Sequence, residues 1–294
     1  MSPKSDRLAF LCLGTMGYPM AGHLARAGYS VRVYNRTGST AQRWQREYAA
    51  HAPEVAETPA EAARGADAVF VCAGNDDDLR EVVLGPDAAL AAMQPGACLV
   101  DHTTASPDLA REIFAGAKAV GVDFIDAPVS GGQAGAQNGA LTIMVGGEDE
   151  AYQRAIPWLE CYAKMHLHLG PSGAGQLTKA VNQICIAGLL QSLSEGLNFA
   201  RRAGLDAARV VEVISQGAAQ SWQMENRFQT MLDGEYDFGF AVDWMRKDLA
   251  IAFAVAEQIQ APLPITEAVD ELYAEVKSRG GGRLDTSSLM TLLD

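Results

Sequence analysis

The sequence predicts an α/β fold, with a doubly wound parallel sheet in the N-terminal half, an all-α C-terminal domain, and a long interdomain helix joining the two. Three observations predict it. Short apolar runs alternate with helical patterns through the first half, a glycine turn follows the first of those runs, and every segment beyond Gly170-Pro171-Ser172-Gly173 has helical period. The change of pattern sets the expected domains at residues 1–171 and 172–294.

The elements follow in order. Residues 8–13 form an unbroken apolar run of the kind that is buried on both faces of a parallel sheet. Residues 20–27 are helical in pattern and 30–34 make a second strand. Further strands are expected at 68–72, 97–100 and 122–125, the rhythm of βαβ units. Residues 140–145 and 166–169 read as two more, with a helix over 150–163 between them. Helices are then expected at 174–202, 207–215, 222–232, 244–258 and 266–279, punctuated by Gly and Pro. Gly280-Gly281-Gly282 reads as a short flexible link to a final helix. Trp222 and Phe240 are expected to pack the helical domain.

Bulk properties narrow the function classes. A chain of 294 residues, 48% hydrophobic and 20% charged, has the composition of a globular protein with room for two cores. Its net charge of −13 repels phosphate backbones and anionic membrane surfaces, so neither nucleic acid nor a membrane is an expected partner. Five cysteines without regular spacing read as reduced thiols rather than a disulfide framework, which favours the cytoplasm. The first residues lead into a strand without the apolar core of a signal peptide, and no apolar stretch reaches membrane-spanning length. His166 and His168 alternate as a strand would and are expected at the surface, and no metal site is expected.

Leu13-Gly14-Thr15-Met16-Gly17 lies where a strand passes through a glycine turn into a helix, the setting of a Rossmann-type dinucleotide fingerprint. Gly14 lets the backbone approach a pyrophosphate, Gly17 allows close helix–strand packing, and the amides that follow present an anion site. Cys12 stands where the fingerprint has its first glycine. The second strand ends in Asn35-Arg36-Thr37 without the carboxylate that NAD-preferring domains place there. Arg36 offers a fork of donors and Thr37 a hydroxyl, which points to the 2′-phosphate of NADP as preferred cofactor, with NAD as the second option. Ala73-Gly74 and Thr104 follow later strands at the carboxyl edge of the sheet, where ligands bind in such folds. His102 is expected to be structural or exposed.

Two further segments carry chemistry. Ser130-Gly131-Gly132 ends a strand in a turn whose amides can converge on an anion such as a substrate carboxylate. Lys179 opens the long helix, where Gln176, Lys179, Asn182 and Gln183 share one face before Ile186, Leu190 and Leu193 continue it as packing. Half-burial among Ile184, Ile186 and Leu189 disfavours the charged amine and suits it to acid–base chemistry near neutral pH. A lysine that snorkels its ammonium into water is the other reading of the same position.

Taken together and in order, four segments make the chain resemble the β-hydroxyacid dehydrogenase family. They are residues 14–21, residues 126–132 with Gly135-Ala136 and Gly139, residues 173–182, and Trp244-Met245-Arg246-Lys247-Asp248-Leu249. The resemblance covers nearly the whole length. It implies Lys179 as catalytic acid/base, Asn182 and the Ser130-Gly131-Gly132 turn as substrate ligands, and Thr104 and Lys247 as cofactor contacts. Asn35-Arg36-Thr37 is similar to the NADP-using branch of glyoxylate and succinic semialdehyde reductases. The expected reaction is hydride transfer between the nicotinamide and a short 3-hydroxy acid or semialdehyde, in a homodimer or homotetramer. Cys12, and Gln183 where many members have a second asparagine, depart from the pattern. An imine reductase of the same architecture, or a cofactor-binding module without turnover, are the rival readings; Lys179 counts against the first and Cys12 keeps the second open.

Overall fold

The computed structural model describes residues 5–293. Its strands are β1 (Arg7–Leu11), β2 (Ser30–Tyr34), β3 (Glu54–Val55), β4 (Ala68–Val71), β5 (Cys98–Asp101), β6 (Asp123–Asp126), β7 (Val129–Ser130), β8 (Leu141–Gly147) and β9 (Ala163–His168). Between them run α1 (Gly17–Arg26), α2 (Gly38–Glu47), α3 (Pro59–Ala63), α4 (Asp76–Leu84), α5 (Pro107–Ala119), α6 (Gly132–Gln137) and α7 (Asp149–Leu159). Beyond β9 follow α8 (Ala174–Arg202), α9 (Ala207–Ile214), α10 (Trp222–Asp233), α11 (Val242–Ile259) and α12 (Pro264–Ser278). The chain divides into two compact units, up to Lys179 and from Ala180 onward.

In the first unit the sheet order is β3-β2-β1-β4-β5-β6-β8-β7, with β9 paired to β8. The run from β3 to β6 is wholly parallel; β8 then pairs antiparallel with β6 and β7 and parallel with β9. Such an order places its topological switch between β1 and β4, and ligands bind outside the carboxyl ends there. Alternation within each strand feeds two cores. Leu8 and Phe10 of β1 join Met20, Leu24, Trp44 and Phe70 on one face. Ala9 and Leu11 join Val69, Val71, Leu99 and Phe124 on the other. Burial on both faces is why these strands read as unbroken apolar runs.

The second unit is helical, around two clusters. Ala187 and Leu190 of α8 pack with Met245, Leu249, Val269 and Tyr273, while Leu193, Leu197 and Ala200 pack with Val211, Met224 and Met231. The expected final helix is corrected: after Gly280 the chain makes two 3₁₀ segments, Gly281–Arg283 and Thr286–Leu292. Asp285 explains the tighter winding there, because its carboxylate takes the Ser287 amide and hydroxyl at 3.0 and 2.6 Å, and the Phe240 amide at 2.9 Å. Trp222 is also corrected, since it is 45% exposed and lies over the Arg227 guanidinium instead of inside the core; Phe240 packs as expected. His166 and His168 are not the outward residues of β9. Both are half-buried against the Tyr152 ring, and Met165 and Leu167 take the exposed positions.

Candidate active site

At the carboxyl edge, β1 passes through Cys12-Leu13-Gly14-Thr15-Met16 into α1. The Cys12 amide donates to the Tyr34 carbonyl at 2.9 Å and the Leu13 amide to Asn35 Oδ1 at 2.9 Å, so the turn is tied to the end of β2. A Cβ on Gly17 would strike the Cys12 carbonyl and the Phe10 ring, whereas a Cβ on Gly14 would meet nothing within 4 Å. Gly17 is thus needed for packing, and Gly14 leaves bare backbone facing open space, with Thr15 exposed and Met16 half-buried beyond it. That is the cradle a pyrophosphate requires, and the residues present fit a dinucleotide. Cys12 adopts φ +70°, the left-handed conformation that explains why the fingerprint asks for glycine at this point. Burial pushes its thiol up to about 12, with the Asp78 carboxylate adding to the effect, so Cys12 is a poor source of thiolate.

At the end of β2 the three expected cofactor residues differ in what they do. Asn35 spends its side chain on backbone, accepting from Leu13 and donating to the Thr37 carbonyl at 3.1 Å. Arg36 is 78% exposed along its side chain and pairs with Asp78 at 3.0 Å. Thr37 is exposed at the N-terminus of α2, with no side-chain bond to the helix.

Across the switch point, the Ala73 amide donates to Thr103 Oγ1 at 2.9 Å, and Gly74 leads into α4. Thr104 lies between two residues held by Gln176, whose amide accepts from the Ala105 N–H at 3.1 Å and donates to the Thr103 carbonyl at 2.7 Å. Beneath this loop Asp101 and His102 are fully buried. Desolvation pushes Asp101 up to about 7, against the pull of the Thr103 amide and hydroxyl. It pulls His102 down to about 4, so the ring is neutral. A neutral ring with Nδ1–H donating to the Ala127 carbonyl at 2.7 Å accepts the Tyr162 hydroxyl on Nε2 at 2.8 Å. His102 therefore anchors the strand end that leads into Ser130-Gly131-Gly132.

That turn follows β7, which pairs Ser130 with Thr142 of β8. Gly131 and Gly132 have φ of +129° and +62°, the backbone reversal that sends the chain into α6. Further along β8, Gly146 faces the start of α8, where a Cβ would come within 2.7 Å of Asp126 Oδ1 and of the Gly175 amide. A Cβ on Gly175 would likewise crowd the Met144 and Asp126 carbonyls. Asp126, fully buried at the end of β6, caps the same turn by accepting from the Gly173 and Gln176 amides at 2.7 and 3.0 Å. Burial raises its pKa, and those amides oppose the rise. The opening turn of α8 is thus fixed to β6 and β8, and Lys179, one turn beyond Gly175, is only 7% exposed. Little of that side chain is left in water. Ile184 and Ile186 are half-buried, and Leu189 is 40% exposed.

In the helical unit, Asn182 Nδ2 donates to Gln183 Oε1 at 2.8 Å, and Gln183 Nε2 donates to Asp248 Oδ2 at 2.6 Å. Lys247 Nζ lies 2.8 Å from the other Asp248 oxygen. Two of the expected ligands, Asn182 and Lys247, are therefore linked through Gln183 and Asp248. Sequence reading placed Gln176 and Gln183 on the Lys179 face and Asp126 and Asp248 within the family segments, but assigned none of them these partners, and it did not single out Asp78. The polar start of an otherwise packing stripe marked Gln176 and Gln183; Asp78, in an acidic helix start, gave no signal.

Strand order, glycine cradle and a buried lysine one helical turn beyond Gly175 define a nicotinamide dinucleotide-binding oxidoreductase. Residues 7–170 match the NAD-binding domain of 6-phosphogluconate dehydrogenase, and residues 173–293 match the NAD-binding domain of NADP-dependent 3-hydroxyisobutyrate dehydrogenase. An uncharacterized oxidoreductase of Shewanella frigidimarina is 56% identical, covering 98% of each chain. A probable mitochondrial 3-hydroxyisobutyrate dehydrogenase-like protein of Arabidopsis thaliana is 38% identical, over 100% of this chain and 87% of its own. Among solved structures, 3-hydroxyisobutyrate dehydrogenase of Mycobacterium tuberculosis with L-serine superposes with a TM-score of 0.86 at 30% identity, covering 99% of each chain. The chain belongs to the β-hydroxyacid dehydrogenase family, NAD(P)-dependent oxidoreductases of the 3-hydroxyacid dehydrogenase type. Among the described residues no helix is long and apolar enough to cross a membrane.

Proposed function

We propose that this enzyme prefers NADP and interconverts a short 3-hydroxy acid with its semialdehyde or keto acid, of the 3-hydroxyisobutyrate, tartronate semialdehyde, glyoxylate or succinic semialdehyde type, with Lys179 as acid/base. The observation that carries this reading is the buried Lys179 on a helix turn clamped by Asp126, Gly146 and Gly175. When bound, the nicotinamide supplies or accepts the hydride. Lys179 donates a proton to the developing alkoxide in reduction and takes the hydroxyl proton in oxidation. The Gly131 and Gly132 amides with the Ser130 hydroxyl hold the substrate carboxylate, and Asn182 orients the substrate under the constraint of Gln183 and Asp248. L-serine, named with the Mycobacterium tuberculosis enzyme, is itself a short 3-hydroxy acid, which supports the substrate class. Gly14, Thr15, Met16 and Thr104 line the dinucleotide, Lys247 contacts it, and Arg36 with Thr37 receives the 2′-phosphate. The protein works as a homo-oligomer in the cytoplasm, with the exposed Val181 and Phe199 of α8 as apolar surface to cover.

The test combines binding with turnover. Lys179→Ala should lower turnover of short semialdehydes by about 10²- to 10⁴-fold while the NADPH dissociation constant stays within about twofold. Arg36→Ala should narrow the NADPH-over-NADH preference. Full turnover without the lysine would remove it from the mechanism, and an unchanged preference without Arg36 would remove the NADP assignment.

A further inference from the structure

Arg36 is not a bare cation awaiting a phosphate. Its guanidinium already holds the Asp78 carboxylate at 3.0 Å. That carboxylate is positioned from its own side: Asn75, the N-cap of α4, accepts from the Asp78 amide at 2.9 Å and donates to Asp78 Oδ2 at 3.0 Å. Asp78 is the third residue of α4, so the helix N-terminus also favours its negative charge. Fixed acid and exposed arginine meet beside the glycine turn, where both act electrostatically on the Cys12 thiol. Asp76, two residues earlier, is otherwise engaged, accepting from the Ser106 amide at 2.9 Å.

We propose that Asp78 is a specificity-determining residue that holds Arg36 in the cofactor-free protein and restrains the preference for NADP over NAD. This rests on the NADP reading of Arg36. A 2′-phosphate competes with Asp78 for the Arg36 guanidinium, so part of its binding energy goes into loosening the 3.0 Å ion pair. A 2′-hydroxyl makes no such demand. It leaves the ion pair in place, and it can donate to the same carboxylate. The pair is at the water's edge, with side-chain exposures of 78% and 32%, so the effect is modest and depends on salt.

The experiment titrates adenosine 2′,5′-bisphosphate against 5′-AMP, and NADPH against NADH, by calorimetry on the full chain and its Asp78→Asn, Asp78→Glu, Arg36→Ala and double variants. Asp78→Asn should tighten the two 2′-phosphorylated ligands by about 2- to 5-fold at low salt. The gain should shrink as salt rises. Neither 5′-AMP nor NADH should gain. Asp78→Glu keeps the charge and should keep the wild-type ratio, which separates the electrostatic effect from disturbance of the α4 cap. In the Arg36→Ala background the gain should be largely lost. Equal tightening of all four ligands, no tightening of any, or a gain that survives intact without Arg36 would each overturn the proposal. If Arg36→Ala alone leaves the cofactor preference unchanged, the NADP reading fails with it; if Arg36→Ala narrows the preference while Asp78→Asn does nothing, the Asp78 proposal alone fails.

Discussion

Gln176 is the residue whose loss should be felt furthest from where it sits. Its side-chain amide, in a residue only 1% exposed, satisfies the Ala105 N–H and the Thr103 carbonyl on either side of Thr104. Gln176→Leu keeps the approximate volume and removes both bonds. Each buried backbone group so stranded costs about 1–3 kcal/mol, and relief from burying the side-chain amide offsets part of the sum. The expected net destabilisation is about 2–4 kcal/mol, a large share of the stability of an ordinary domain. Urea unfolding of the cofactor-free protein measures it as a lowered midpoint at unchanged slope. Hydrogen exchange localises it: the Ala105 amide should lose protection before the sheet amides of β5 do. NADPH binding should weaken as well, because the Thr103 carbonyl and the Ala105 amide on either side of Thr104 then lose their partner. A destabilisation below about 0.5 kcal/mol would refute the reasoning, since surface-like substitutions lie in that range and these groups would then be finding other partners.

Two further outcomes are expected. At Cys12, whose φ is +70°, Cys12→Gly should stay within about 1 kcal/mol of wild type, whereas Cys12→Val should cost at least ~2 kcal/mol because a β-branched side chain is worse suited to that conformation; thermal unfolding with equal losses for both would show that the backbone is not the constraint. Asp101 and His102 should give opposed pH dependences. The fold keeps the Asp101 proton up to about pH 7, so its contribution is full below the ordinary 3.8 and is lost as pH rises through that window. The fold refuses the His102 proton down to about 4, so stability is lost as pH falls from 6.5 toward 4. The slopes oppose between about pH 4 and 6.5, and Asp101→Asn should unmask a rise with pH of at most about 1.4 kcal/mol per unit in that window. Urea midpoints at half-unit steps test it, and a variant parallel to wild type would exclude a titrating Asp101.

The sequence by itself determined the alternation of strands and helices, the glycine cradle and the buried face of α8. Each rests on local chemistry: doubly buried strands must be apolar throughout, a turn against a helix needs Gly17, and a helical stripe repeats in register. Even Lys179 could be singled out, because a cation at the head of an apolar stripe breaks its own pattern. Tertiary structure decided what holds those parts in place. Asp126 caps a helix that starts 48 residues after it, Gln176 reaches back to Thr103, and Asp78 takes Arg36 across the gap between β2 and α4. Partners so distant along the chain leave no mark in spacing or period. A carboxylate that caps, one that titrates and one that competes for an arginine are the same residue in sequence, and only the groups within hydrogen-bond reach tell them apart.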